Sequence, residues 1–308
     1  ALAALLAAVP TAKVLPVLRR GNVNGALAVG LAPAGDALDT HGMLAAAADG
    51  RLECLVLLGA DPLSDFPDAT LALAALDRVP RLIAVDTMLT RSSERAHVVL
   101  AAAAYAEKSG THTNIEGRVT RLAQKVTPVG TARPDWMIAA GLADALGAEF
   151  GVDTVDDLTA EIAANVPGFA GVTAATLSAV PDGVVAELGS TRGLTAPVES
   201  VAPRRAGAWR LVLGRTLYDL ATGTAASRSL SGLAAPTAAH LHPDDVAALG
   251  GAEQVRLTNG RASTVLPVAI SDTVLPGTVW VPFNHAGGDI TLLVDSAASV
   301  TDVEIEAV

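Results

Sequence analysis

The chain has 308 residues, 51% of them hydrophobic, and a mean hydropathy of +0.43, so it holds enough apolar material for two domains with their own cores. Its formal net charge of −11 excludes a general affinity for DNA or anionic lipid, because both depend on dense Lys and Arg surfaces. The single cysteine, Cys54, excludes an internal disulfide framework and a self-contained iron–sulfur cluster, which normally needs several thiolates.

The beginning of the chain is apolar but does not read as a signal peptide. Residues 1–9 form the apolar run, whereas the positive charges of Lys13, Arg19 and Arg20 follow it, the reverse of a signal peptide. There is no initiator Met, so we expect the sequence to begin inside a longer protein, with residues 1–9 forming a buried helix or the end of one. No apolar window of about 20 residues lacks Pro or Gly, so no membrane span is predicted.

The first half alternates short aliphatic runs with Ala- and Leu-rich helical patterns, which predicts βαβ units and a parallel sheet. The predicted strands are residues 13–18, 54–58, 82–85 and 97–100. The predicted helices are residues 38–48, 69–77 and 134–146.

Three smaller features of this half lead to expectations of their own. Residues 22–25, Asn-Val-Asn-Gly, favour a tight turn after the first strand. Cys54 begins an aliphatic strand, where a free cysteine usually behaves as a small buried hydrophobe. Polar turns follow two strands, at residues 59–62 and 86–90, and ligands of open α/β sheets bind beyond such strand ends.

Residues 107–119 read Glu-Lys-Ser-Gly-Thr-His-Thr-Asn-Ile-Glu-Gly-Arg-Val, an unusual concentration of small, turn-forming and charged residues. Gly110 and Gly117 bracket a stretch in which Thr111, Thr113 and Asn114 can hydrogen-bond their own backbone. We therefore predict a compact loop that is ordered without helix or sheet.

The second half has a different pattern. Residues 151–207 show weak periodicity and are interpreted as a variable insertion and linker, with the boundary at residues 202–207. Beyond it come short predicted strands separated by turns, at residues 209–213, 254–258, 262–270 and 278–282. Asn259-Gly260 between two of them is a strong hairpin signal. These features predict a small β-barrel.

His240 and His242 are spaced to project from one face of an extended segment, a geometry open to metal. No further ligands lie nearby in sequence, and His242 precedes the Pro-Asp-Asp of a predicted helix start. A structural role is favoured for both, so no metal ligand is assigned. No sequence motif for binding nucleotides or for serine hydrolysis occurs either.

Several of these blocks resemble one family in the same order. Residues 107–119 resemble the E-K-x-G-T-x-T-N-x-E-G-R-V signature of the molybdopterin oxidoreductase superfamily. Residues 56–62 are similar to its strand that ends in G-x-N/D-P. Residues 213–218, 241–250 and 274–282 are similar to its molybdopterin-dinucleotide-binding domain, a six-stranded double-psi β-barrel.

One block departs from the family pattern. Residues 82–101 resemble its D-T-x-x-T-E-T-A-x-x-A-D-V-V-L-P segment, but Arg91 replaces the Glu and Ser92 the second Thr. His97 likewise replaces the Asp and Ala101 the Pro. These polar positions commonly face the cofactor in active members, so the departures weaken the case for a bound pterin.

The resemblance implies an α/β fold in which a parallel-sheet domain of the molybdopterin-oxidoreductase type precedes a small double-psi-like β-barrel. The expected domains are residues 1–150 and 208–308, joined by the insertion and linker of residues 151–207.

The superfamily includes a non-catalytic branch, the large iron–sulfur subunits (G-type) of bacterial NADH:quinone oxidoreductase, respiratory complex I. The Ala-rich divergence and the ending at residues 300–306 resemble this branch. It implies a scaffold that supports electron transfer from NADH to quinone, coupled to proton translocation. The scaffold would itself hold no cofactor and no catalytic residue.

The same resemblance implies [4Fe-4S] and [2Fe-2S] clusters in a missing N-terminal part. The implied partners are other subunits of the peripheral arm, including the NADH-binding subunit, on the cytoplasmic side of the bacterial inner membrane and without a span of its own.

Two alternatives stay open. One is a catalytic molybdopterin oxidoreductase of the formate dehydrogenase or nitrate reductase type. It would use a cofactor cleft lined by Asp61, Thr90, Thr111 and Asn114, which are vestigial in the scaffold interpretation. The other is an independent, cofactor-free interaction protein.

Overall fold

The computed structural model describes residues 2–9, 11–12, 17, 21–188 and 202–308. The chain forms two compact units, and it contributes two separate segments to each. The hairpin unit comprises Ala1–Asp39 and Leu100–Glu199, and the barrel unit comprises Thr40–Val99 and Ser200–Val308. The domain boundaries near residues 150 and 207 stay a prediction.

The α-helices of the described residues are α1 Leu2–Ala8, α2 Val23–Ala28, α3 Thr40–Ala48, α4 Pro62–Asp65, α5 Ala69–Arg78, α6 Asp135–Ala145, α7 Val155–Asn165, α8 Ala174–Ala179, α9 Thr222–Ala225 and α10 Pro243–Ala248. The strands are β1 Cys54–Leu58, β2 Arg81–Asp86, β3 Val98–Ala101, β4 Gly110–Thr113, β5 Arg118–Leu122, β6 Val184–Val185, β7 Trp209–Gly214, β8 Ala239–Leu241, β9 Gln254–Thr258, β10 Ser263–Ile270, β11 Thr278–Pro282 and β12 Thr301–Ala307. None of these helices is both long and apolar enough to cross a membrane.

In the hairpin unit, the signature segment forms a β-hairpin, so the prediction of a loop without sheet is wrong. β4 and β5 pair antiparallel, and β6 extends the sheet in the order β4-β5-β6. The turn closes because the Asn114 side-chain oxygen accepts hydrogen bonds from the backbone N–H groups of Glu116 and Arg118, each at 2.9 Å. Gly117, at φ 82°, takes the left-handed conformation that the turn needs.

The predicted turn at residues 22–25 is also wrong, because α2 begins there. Asn22 precedes the helix at φ 56°, and its side-chain oxygen accepts from the Thr113 N–H at 2.8 Å. Asn24 donates from its side-chain amide to the carbonyls of Asn114, at 3.0 Å, and Ile115, at 3.1 Å. The two asparagines thus hold α2 against the hairpin.

The first residues are helical as expected, but Leu5 and Val9 of that segment are exposed, so the prediction of burial is wrong for them. The predicted strand at residues 13–18 lies outside the described residues except for Val17.

Residues 151–188 are folded although their periodicity is weak. Thr154 and Thr173 cap α7 and α8, each accepting from a backbone N–H in the first turn. Together with β5 and β6, these helices enclose a small apolar core around Val119, Phe169 and Leu177. The described part of the predicted insertion therefore completes the hairpin unit.

The first segment of the barrel unit contains the predicted parallel pair. β1 and β2 run parallel with Leu55 opposite Leu82, and the sheet order is β1-β2-β3. α3 and α5 contribute Leu44 and Leu76 to a core that includes Leu57 of β1. Alternate residues of β1 point away from this core, and Cys54 is one of them. The prediction that Cys54 is buried is therefore wrong.

The second segment closes into a six-stranded barrel in the order β10-β8-β11-β7-β12-β9. The pairs β10/β8 and β11/β7 are parallel, and the barrel core is built from aliphatic residues such as Leu241, Leu257 and Val279. The predicted hairpin is present, because β9 and β10 pair antiparallel around Asn259. These observations confirm the predicted fold class.

Buried Asp68 connects the two segments of the barrel unit. It is 2% exposed and caps α5 by accepting from the Leu71 N–H at 3.0 Å. The same carboxylate accepts from the Arg261 guanidinium at 2.9 Å and from the Ser296 N–H at 3.2 Å. The Ser296 hydroxyl also donates to it, at 3.3 Å, so the sheet segment is anchored to the barrel by a carboxylate with four donors.

Inside the barrel unit, Asp302 of β12 pairs with Arg210 of β7 at 2.7 Å, and both side chains are largely buried. Burial by itself raises the pKa of Asp302. Hydrogen bonds from the Arg205 N–H and the Arg210 side chain outweigh that effect and hold the pKa below its ordinary value of 3.8.

We expect Gly183→Ala to destabilise the hairpin unit by about 1–3 kcal/mol. Gly183 has φ +85°, and an added Cβ would lie 2.4 Å from the Val119 carbonyl oxygen. The control is Gly171→Ala, where nothing lies within 4 Å of the added atom. Urea unfolding followed by circular dichroism gives both values, and equal stability of the two variants would contradict the prediction.

Asp302→Asn tests the buried ion pair as a function of pH. Because the pKa of Asp302 is lower in the folded state, its stabilisation is present above the unfolded value of 3.8 and is lost as pH falls through the folded pKa. The difference in unfolding free energy between wild type and variant should therefore shrink below about pH 4. Urea unfolding followed by Trp fluorescence measures it, and a difference that stays constant would contradict the assignment.

Candidate functional site

Polar side chains gather in the barrel unit where parallel strands end. Asp61 follows β1 and Thr90 follows β2, while Arg215 follows β7 and Asn284 follows β11. Carboxyl ends of parallel strands are the usual position of ligands in α/β sheets. We call the following residues the edge cluster: Asp61, Asp65, Thr90, Arg215, Asp219, Thr237 and Asn284.

Asp61 is 6% exposed and uses its carboxylate within the protein. One oxygen accepts from the Ser92 hydroxyl at 2.5 Å and from the Ser92 N–H at 3.2 Å. The Ser92 hydroxyl oxygen in turn accepts from the Leu63 N–H at 3.0 Å. The Asp-Pro sequence thus begins α4 and ties it to the turn after β2.

Thr90 is likewise engaged. Its N–H donates to the Ser93 hydroxyl at 2.6 Å, and its own hydroxyl oxygen accepts from the Ser93 N–H at 3.1 Å. Both residues are buried. These hydrogen bonds within the turn after β2 stabilise the start of a short 3₁₀ helix.

Arg215 joins the loop after β7 to helix α4. Its Nε lies 2.6 Å from Asp219 and its Nη1 lies 3.3 Å from Asp65, while the guanidinium carbon is 5.9 Å from the ring centre of Phe283. The hydrogen bond to Asp219 raises the pKa of Arg215. Burial alone raises the pKa of Asp219, but hydrogen bonds from Arg215 and the Ala221 N–H lower it overall, so the pair is ionised.

Two buried polar atoms of the edge cluster have no hydrogen-bond partner among the described residues. They are the Thr237 hydroxyl and the side-chain nitrogen of Asn284. Asn284 is also one of two non-glycine residues with positive φ in the described chain, at 65°. Backbone strain and an unsatisfied polar group are both features that concentrate at functional sites.

The loops around these atoms are fixed by neighbouring hydrogen bonds. His285 lies 2.9 Å from the Thr216 hydroxyl and 2.5 Å from the Ala235 carbonyl oxygen. The Thr237 N–H donates to the Ala286 carbonyl at 2.8 Å. The edge cluster is therefore preformed rather than loosely held.

The four sequence-predicted candidates divide between the units. Asp61 and Thr90 belong to the edge cluster and lie on neighbouring turns linked by Ser92 and Ser93. Thr111 and Asn114 belong to the hairpin unit, where Thr111 lies on β4 opposite Arg121 and Asn114 forms the hairpin turn. Their role toward a cofactor stays a prediction.

The paired histidines have separate structural roles. The His242 ring accepts from the Asp244 N–H at 3.2 Å and caps α10, which begins at the Pro-Asp-Asp where the sequence predicted a helix start. His240 packs edge-on against Trp280, with ring centres 4.6 Å apart. Within the described residues, no group of three or more His, Cys, Asp or Glu side chains is arranged to hold a metal ion.

The sequence patterns include Arg215 only within the resembling block of residues 213–218. They do not point to Asp65, Asp219, Thr237 or Asn284. The Gly-Arg after β7 and the lone Asn after β11 were available signals. They carry meaning only once β7 and β11 are known to be parallel neighbours that end together.

Removing the Arg215 guanidinium should destabilise the barrel unit. Arg215→Ala leaves Asp219, whose side chain is 7% exposed, without its ionic partner, so we expect a loss of about 2–4 kcal/mol. Arg51→Ala is the control, because that ion pair is exposed and should contribute less than about 0.5 kcal/mol. Urea unfolding measures both losses, and similar values would refute the importance of the buried contact.

Comparison with known proteins supports the resemblance in both halves. Residues 6–145 match the molybdopterin oxidoreductase family model. Residues 210–305 match the model of the molydopterin dinucleotide binding domain.

Relatives with different activities match at similar levels. The NADPH-Fe(3+) oxidoreductase subunit alpha of Geobacter sulfurreducens is 30% identical over 96% of this chain and 37% of its own length. The G-type subunit of the NADH-quinone oxidoreductase of Mycobacterium bovis is 31% identical over 88% of this chain and 32% of its own. The F420-dependent formate dehydrogenase 1 subunit alpha of Methanococcus maripaludis is 27% identical over 83% and 42%. The chain thus spans less than half the length of these relatives.

A solved structure shares the fold. Acetylene hydratase from Pelobacter acetylenicus superposes with a TM-score of 0.69 at 15% identity, over 89% of this chain and 47% of the other. The two family models follow one another along the chain in the order that the folded segments show. The chain therefore contains a molybdopterin-oxidoreductase-type domain followed by a β-barrel domain that matches the dinucleotide-binding model.

Proposed function

We propose that this chain is a scaffold portion of a multi-subunit oxidoreductase of the NADH:quinone type. In this proposal the molybdopterin-type fold has a purely structural role, and the chain performs no pterin chemistry. Electrons pass through iron–sulfur clusters elsewhere in the complex, and the chain packs against other subunits of the peripheral arm, including the NADH-binding subunit.

The observation that carries the proposal is that three of the four candidate cofactor residues, Asp61, Thr90 and Asn114, already hydrogen-bond within the protein. One oxygen of the Asp61 carboxylate accepts hydrogen bonds from Ser92, and the Thr90 hydroxyl is hydrogen-bonded to Ser93. In the hairpin unit, the Asn114 side-chain oxygen is taken by its own turn. A polar cofactor gains little from groups that already have partners, because each new contact must replace an existing hydrogen bond. These positions therefore fit a pterin poorly.

The guanidinium of Arg215 is also already paired within the protein. Its two carboxylate partners, Asp219 and Asp65, neutralise the positive charge that an anionic cofactor would otherwise use. Arg91 adds a further departure, since it is exposed where the superfamily pattern has a Glu.

The comparisons support a subunit role in general. The relatives carry subunit designations in their names, and one of the most similar is a G-type subunit of NADH-quinone oxidoreductase. Iron–sulfur clusters outside this chain, quinone reduction, proton translocation and a peripheral position on the cytoplasmic face of a bacterial inner membrane are part of the proposal.

A second candidate, a catalytic molybdenum or tungsten oxidoreductase, is favoured by one specific observation. The Thr237 hydroxyl and the Asn284 amide nitrogen lack partners within the described residues, and Asn284 has a strained backbone. A bound cofactor with matching donors and acceptors would satisfy both. The formate dehydrogenase relative is consistent with this alternative.

Elemental analysis of the full-length native protein, purified with its partner subunits, separates the two candidates. We expect iron without molybdenum or tungsten, and no fluorescent pterin after acid oxidation. The F420-dependent formate dehydrogenase relative, prepared in parallel, is the control for cofactor loss during purification.

Near-stoichiometric molybdenum or tungsten would overturn the scaffold proposal. In that case Asn284→Ala should lower the metal content, because it removes a group that would contact the cofactor. An Arg51→Ala variant, changed at an exposed ion pair, should keep the full metal content and serves as the matched control.

A further inference from the structure

We infer that the outer wall of the barrel carries a second binding site, one that takes a small, uncharged aromatic molecule. A cavity of about 500 Å³ lies on this wall, within the size range of small-molecule sites. Its walls include Val212, His240, Ser271, Leu275 and Trp280.

The floor of the cavity is a row of side chains on three neighbouring strands. Trp280 of β11 lies directly opposite Val212 of β7 on one side and His240 of β8 on the other. The residues next to Trp280, Val279 and Val281, point into the barrel core and are fully buried. The row therefore faces outward, where barrel strands usually present polar side chains. Two rings and an aliphatic side chain on that face are unexpected for a solvated wall.

The geometry of the rings favours an aromatic ligand. His240 and Trp280 meet edge-on at 4.6 Å, with an angle of 68° between the ring planes. Both rings are only half-buried, so each keeps exposed surface for a further stacking or edge contact, which contributes about 0.5–1.5 kcal/mol beyond area burial. Neither ring nitrogen of His240 hydrogen-bonds to a described residue, so the imidazole retains both a donor and an acceptor.

The charge of the cavity favours an uncharged ligand. None of the described side chains that line it is acidic, and none of them is Lys or Arg. Burial lowers the pKa of His240, so the imidazole is neutral near pH 7. A charged ligand would lose hydration without gaining a counter-charge.

The rim of the cavity is built in advance. The loop from β10 to β11 is fixed at its start by the Ser271 N–H, which donates to the Leu241 carbonyl at 2.9 Å. Near its end the Gly277 N–H donates to the Asp245 carboxylate at 2.7 Å. The hydroxyls of Ser271 and Thr273 are paired at 2.9 Å, so one hydroxyl proton is used and the other remains available.

This cavity is separate from the edge cluster. Its loop precedes β11 and includes Thr278 at the start of that strand. The edge-cluster residues Arg215 and Asn284 follow the opposite ends of β7 and β11, and none of the cluster's residues lines the cavity. The site therefore does not depend on whether a pterin is bound.

Titration of the full chain with 2-naphthol, followed by the indole N–H resonance of Trp280, tests the site. We expect this resonance to shift and His240→Ala to weaken binding about tenfold. Leu275→Asp, at a side chain 74% exposed that should not affect folding, should weaken it at least as much. The matched control is Leu146→Asp, at a residue 85% exposed in the hairpin unit, which should leave binding unchanged.

The charged analogue 2-naphthalenesulfonate provides the second comparison. Weaker binding of the sulfonate than of naphthol supports an uncharged site. Absence of any Trp280 shift, equal binding of the two compounds, or equal loss in Leu275→Asp and Leu146→Asp would each overturn the inference.

Discussion

The fold of the barrel unit depends on a buried carboxylate that serves two distant parts of the chain. Asp68 is 2% exposed, caps α5 and also accepts from Arg261 and Ser296, which lie 193 and 228 residues further along. A buried carboxylate is costly unless several donors satisfy it. Because its donors come from both segments, the sheet with its helices and the barrel must fold against each other for the charge to be satisfied.

Arg215 repeats this device at the edge cluster, since it pairs with Asp219 of its own loop and with Asp65 of the sheet segment. These two ion pairs hold the edge cluster rigidly at the carboxyl ends of the strands, where α/β sheets usually bind ligands. Bonded groups such as Asp61 stabilise the protein, whereas the Thr237 hydroxyl and the Asn284 side-chain nitrogen have no hydrogen-bond partner in the described part of the chain. The bonded groups favour the scaffold proposal, whereas Thr237 and Asn284 favour the catalytic alternative. The cofactor content of the protein decides between the two. The cavity at Trp280 is independent of that choice, because it lies on an outer wall of the barrel.

In the hairpin unit, the same residues were compatible with a loop in sequence but form a β-hairpin in the structure. Asn114 and Gly117 have a defined backbone task, as predicted, but the task is to close a β-hairpin, whereas Gly110 pairs with Leu122 at its open end. The sheet was not predicted because its partners, β6 and the clamp from α2, are distant in sequence. Residues 22–25 were interpreted as a turn for the same reason, since a short helix at that position is stabilised mainly by its contacts with the hairpin.

By itself the sequence determined the local elements whose signal is local. Aliphatic runs defined β1 and β2, Asn259-Gly260 predicted the hairpin of β9 and β10, and ordered blocks indicated the family. Only the tertiary structure decided which polar groups are free. In sequence, Asp61 and Thr90 resemble cofactor contacts, yet in the structure they hydrogen-bond to Ser92 and Ser93. The lone Asn284 after β11 gains meaning only because β7 and β11 end side by side. The physical reason is that hydrogen-bond satisfaction depends on proximity in space, and periodicity and spacing report only proximity along the chain.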